Sequence, residues 1–141
     1  MKAARRLRRL GRYAARFDLP SVRAAGWAAA ALRRLRVDLR TEGLDARVPP
    51  PPVLPPHAVQ GLALVVRVSR ASCLERSLLL QAWLGAHDEP RSVNVGVKED
   101  SPAKVEAHAW VSGHEPDPEG YALIRVIQPR ANKVAGMASE R

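Results

Sequence analysis

The spacing of apolar residues changes once along the chain, near Pro90, from a helical period to strict alternation. In "RRLRRLGRYAARF" (5–17), Leu7, Leu10, Ala14 and Phe17 share one helical face while the arginines take the other. Asp18 and Pro20 punctuate the pattern, and proline suits the first turn of a second helix. The stripe predicted for that helix is Ala25, Ala29, Leu32, Leu35 and Leu39. "RVPPPPVLPP" (47–56) cannot be helical and reads as an extended, semi-rigid connector. "HAVQGLALVVRVSR" follows as a short helix with Val59, Leu62 and Val66 inward. The next segment, "SCLERSLLLQAWLG" (72–85), is apolar on most sides and is therefore expected at the centre of the fold.

Past Pro90 the period is two. "SVNVGVK" alternates Val93, Val95 and Val97 with small or polar residues. "VEAHAWVS" places Val105, Ala107, Ala109 and Val111 on one face, and Glu106, His108 and Trp110 on the other. "YALIRVI" (121–127) is a third strand. Helices followed by three closely spaced strands predict an α+β fold, with the cysteine-bearing helix packed on a small antiparallel sheet.

Charge divides the chain further. The net charge is +9, and residues 1–40 hold twelve Lys/Arg against two Asp, whereas the remainder is nearly balanced. The expected organisation is a basic helical segment over 1–46, the connector over 47–56, a core over 57–130 and a flexible tail over 131–141. Such a basic segment suits an acidic protein or an anionic membrane surface. Few aromatics interleave with its arginines and no nucleic-acid motif appears, so nucleic acid is not expected as a partner. The apolar stretch "AAGWAAAAL" (24–32) is far shorter than the roughly 20 residues of a membrane span. "RRLR" follows it where a signal peptide would have small residues. With one cysteine the chain forms no internal disulfide, and the protein reads as cytoplasmic, with peripheral membrane contact open to its basic helices.

That cysteine marks the candidate chemistry. "SCLE" is a capping box, with Ser72 as N-cap and Glu75 three residues on, so Cys73 becomes the first helical residue. Exposed backbone N–H groups and the positive end of the helix dipole favour an anionic sulfur at such a position. A thiolate nucleophile needs a base, and His108 on the second strand is the candidate. A carboxylate to orient it would come from the turn "SGHEPDPEGY", which offers Glu115, Asp117 and Glu119. Buried cysteines and strand histidines are also ordinary packing residues, and His57 and His87 read as surface groups. Trp110 and His114 are candidate substrate contacts.

As a set, "SCLERSLLLQAWL", "VNVGVKED" and "EAHAWV" resemble the lasso-peptide biosynthesis B protein family. The similarity is to its stand-alone, microcin-processing peptidase form, a transglutaminase-like cysteine protease, and it covers about residues 70–127. The resemblance implies a papain-like site in which Cys73 is the nucleophile and His108 the base. Asp117 would be the third member, with Glu119 as the alternative. It also implies removal of the leader from a ribosomally made precursor peptide. The implied partners are a PqqD-like leader-recognition protein and an asparagine-synthetase-like cyclase, and the chemistry calls for no metal or organic cofactor. The alternative reading is a catalytically degenerate fold that only binds peptide or acts as a scaffold in the same pathway.

Overall fold

The computed structural model describes residues 17–130. Most of the first sequence-predicted helix and the whole expected tail at 131–141 lie outside these residues.

Helix α1 runs over Leu19–Glu42. Its start obeys the punctuation in the sequence: Asp18 caps it by accepting from the Ser21 amide at 3.0 Å, and a proline sits in the first turn. The second carboxylate oxygen of Asp18 meets the ring of His57. Hydrogen bonding from Ser21 first, and from His57 next, lowers the Asp18 carboxyl to about 2.

The buried face of α1 is Ser21, Ala24, Ala28, Ala31, Leu32 and Leu35. The expected stripe is correct in its leucines and displaced by one residue at the alanines: Ala29 is exposed and Ala25 only half-buried. Alanines occur on several faces of this half-helix, so apolarity alone does not phase it. The phase is set instead by Gly61 of helix α2 (Val59–Val68), which lies directly on the α1 backbone. A Cβ at Gly61 would stand 2.1 Å from the Ser21 carbonyl oxygen and 2.8 Å from the Ala25 nitrogen. Of the residues expected inward on α2, Leu62 is buried while Val59 and Val66 pack only partly.

The proline-rich stretch holds no strand or α-helix, and it is fastened to the core. Ala46, Val48 and Leu54 are buried, and the Trp27 indole donates to the Pro49 carbonyl at 3.2 Å. His87 is no ordinary surface group. It stacks on Trp83 at 4.5 Å, and its two ring nitrogens lie 2.8 Å from the carbonyls of Trp83 and Leu54, joining connector to helix end.

Helix α3 (Cys73–Gly85) carries both halves of the capping box. Leu78, Leu79, Trp83 and Leu84 sink into one cluster with the buried face of α1. Strands β1 (Val93–Ser101), β2 (Lys104–Val111) and β3 (Ala122–Ile127) form an antiparallel sheet in the order β2-β1-β3. The register pairs Val93 with Val111 and Val95 with Ala109, placing these four on the face that joins the core. It pairs Gly96 with His108 and Asn94 with Trp110 on the other face. Burial along β2 does not alternate: the strand projects past the core at its start and leaves Val105 exposed, while Ala109, Trp110 and Val111 at its end are all buried. The architecture is thus α+β, with helices preceding a cysteine-bearing helix packed on a small antiparallel sheet. Among the described residues no helix is long and apolar enough to cross a membrane.

Candidate functional site

Cys73 is the first residue of α3 and is half-buried against the core. The turn before it is held from three sides. The Ser72 hydroxyl accepts from the Glu75 amide at 3.2 Å, and the Glu75 carboxylate accepts from the Ser72 amide at 3.1 Å. The other Glu75 oxygen takes the Arg36 guanidinium of α1 at 2.8 Å, and Arg36 also donates to the Ser69 carbonyl at 3.0 Å. Burial pushes the Glu75 carboxyl up, but the Arg36 ion pair and the Ser72 amide outweigh it, so the net movement is downward. Glu75 is therefore a fixed anion that locks the helix start. The sequence showed its capping role and gave no sign of Arg36, which lies 39 positions earlier.

One turn beyond Cys73, the buried Ser77 hydroxyl donates to the Ala109 carbonyl at 3.2 Å. This bond registers the cysteine helix on the strand that carries His108, at the adjacent residue. The His108 ring is half-buried between two aromatic neighbours, stacked on Trp110 at 5.9 Å and tilted against Tyr121 at 5.6 Å. Gly96 makes the arrangement fit. A Cβ there would stand 3.1 Å from the Trp110 ring and 3.1 Å from the Tyr121 Cβ, so a side chain would wedge the platform apart.

Asp117 lies in the same neighbourhood, and its partner is Trp110: it accepts from the indole N–H at 2.9 Å. Glu119 is exposed. Among the described residues no hydrogen bond joins His108 to Asp117, Glu119 or Cys73. Desolvation first, and the Glu106 carboxylate next, raise the Tyr121 phenol above the ordinary value; the charge of Cys73 contributes in the same direction, as does Asp100. The Tyr121 ring is in contact with the His108 ring. Lys98 stands 5.9 Å over the Tyr121 ring.

The turn after β2 is tied back to α3 by Arg76 and Glu115, 3.4 Å apart. His114, in that turn, is exposed. Tyr121, Gly96, Arg76 and Arg36 are the members that sequence reasoning missed. Tyr121 read only as the start of a strand, and the spacing of Arg76 says nothing of a partner in a distant loop. Among the described residues no three His, Cys, Asp or Glu side chains gather as metal ligands would.

Chemically, the arrangement offers a thiol at a helix N-terminus, where amide donors and the helix dipole favour negative charge. It also offers an imidazole on the neighbouring strand, held flat by aromatic rings.

A search of curated proteins and a search of solved structures each returned no match. The family model described as the transglutaminase-like superfamily matches residues 1–123. That span takes in the capped cysteine, the histidine strand and the helices before them, and the chain belongs to the transglutaminase-like superfamily.

Proposed function

We propose that the protein is a cysteine peptidase that removes the leader from a ribosomally made lasso-peptide precursor, with Cys73 as nucleophile and His108 as base. The observation that carries this reading is the placement of Cys73 at a capped helix N-terminus registered, through Ser77 and Ala109, against the strand of His108. Membership of a superfamily of cysteine-using enzymes supports it.

In this mechanism His108 takes the Cys73 proton, and the sulfur attacks the carbonyl at the leader–core junction. Amide groups at the start of α3 stabilise the oxyanion. His108 returns its proton to the departing amine of the core peptide. Water then hydrolyses the acyl-enzyme and releases the leader as a carboxylate. Trp110 and Tyr121 hold the imidazole in plane, and Asp117 acts through the Trp110 indole as a positioning residue. The exposed His114 borders the path of the peptide.

The precursor would be presented by a PqqD-like leader-recognition protein, and the freed core amine passed to an asparagine-synthetase-like cyclase. The expected setting is cytoplasmic. The test is cleavage of a full-length precursor by the wild type with its recognition partner, followed by mass spectrometry. Cys73→Ala and His108→Ala are expected to lower the rate by at least about a hundred-fold. Equal cleavage by Cys73→Ala would refute the reading.

The engagement of Asp117 with Trp110 favours one second reading, a catalytically degenerate fold that holds a peptide without cutting it. It predicts precursor binding by Cys73→Ala and wild type alike, and cleavage by neither.

A further inference from the structure

Alongside the helix that docks on the Cys73 turn runs a cleft of about 310 Å³. It is lined by Ala29, Leu32 and Val37, by Ser69, and by a ladder of Arg33, Arg36 and Arg40. Three and four residues apart, these arginines stand on one face of α1, about one helical turn from one another. The other charged groups nearby are satisfied: Asp38 pairs with Arg34 at 3.7 Å, and Glu75 with Arg36 at 2.8 Å. Among the described residues no carboxylate pairs with Arg33 or Arg40. Arg40 spends one donor on the Arg36 carbonyl, at 3.2 Å. The cleft thus presents an excess of guanidinium groups beside the exposed Val37.

We propose that this cleft binds an acidic segment of a partner protein, with carboxylates on Arg33 and Arg40 and an aliphatic side chain on the exposed Val37 between them. Guanidinium groups recognise carboxylates through paired, charge-assisted hydrogen bonds. Carboxylates two helical turns apart match the roughly 10.5 Å of helix rise between Arg33 and Arg40. The concavity suits a side chain better than it suits the flat headgroup layer of a membrane. Arg36 also fixes the location: it bonds Glu75, within the first turn behind Cys73, so a partner seated here lies beside the cysteine end of α3. The proposal does not depend on the peptidase reading.

The test uses the full-length chain and a short fluorescein-labelled peptide of glutamates and leucines, with fluorescence anisotropy as the readout. Binding should weaken with added salt and disappear when glutamine replaces glutamate. The exposed pair Arg33→Gln/Arg40→Gln should lower affinity at least about ten-fold, whereas the control pair Arg23→Gln/Arg34→Gln should change it by less than about two-fold. Matching melting curves for the variants would establish that folding is intact. No binding by the wild type, or equal losses in both pairs, would overturn the proposal. Vesicles containing phosphatidylserine are titrated in parallel; if Arg33→Gln/Arg40→Gln abolishes vesicle binding and leaves peptide binding intact, the cleft is a membrane contact instead.

Discussion

Asp117 does its work on an indole. Trp110 is almost wholly buried on the sheet face opposite the main core, and its N–H needs an acceptor, which Asp117 supplies at 2.9 Å. A buried donor left without a partner costs about 1–3 kcal/mol. Asp117→Ala is therefore expected to lower stability by about that amount and to slow Cys73 alkylation, because the ring that backs His108 loses its tether. Asp117→Asn keeps a neutral acceptor and should stay within about two-fold of the wild type in alkylation. If the charge of Asp117 is instead what His108 requires, Asn will fail as badly as Ala. At this scale the sequence revealed which residue types could act, and His108, Trp110 and Asp117 lie in one neighbourhood. What it could not reveal was which acceptor serves which donor. That choice depends on Gly96, whose missing side chain admits the Trp110 and Tyr121 rings, and no periodicity marks it.

The helices teach a related lesson. The starts of α1 and α3 were legible because capping chemistry is local: Asp18 and Pro20 begin one, Ser72 and Glu75 the other. The phase of α1 was not, because its alanines permit several faces and Gly61, 36 or more positions away in the chain, selects one. Gly61→Ala would drive a methyl group into the Ser21 carbonyl, where backbone cannot yield cheaply. A loss of about 2 kcal/mol or more is expected, read as a fall of several degrees in Tm; an unchanged Tm would show that the two helices are not held at this distance. The cap of α1 makes a prediction about acid. With Asp18 lowered to about 2 in the folded chain from an ordinary 3.8, its ionised form adds stability above about pH 4. That contribution is lost as pH falls through about 2. The melting difference between wild type and Asp18→Ala should therefore be steady near neutrality and shrink between pH 4 and pH 2. A difference that persists unchanged at the acid end would assign the cap's value to shape alone.

Across the whole molecule, the basic N-terminal part and the cysteine region are joined by the described residues. The buried face of α1 enters the same cluster as α3 and the sheet, and Arg36 reaches the turn ahead of Cys73. The connector, which composition alone presents as a spacer, is anchored by Trp27 and His87. Fold class was legible because the change from helical to alternating period is a property of long segments. These long-range attachments were not, since each pairs residues whose local surroundings are unremarkable. The central claim is that Cys73 and His108 act as a pair, and its most direct test is the pH dependence of Cys73 alkylation by iodoacetamide in wild type and His108→Ala. The account predicts alkylation in the wild type that stays fast down to about pH 6 and is slower by about ten-fold or more in the variant. Slow alkylation with the same profile in both proteins would contradict the pair and leave a peptide-binding fold.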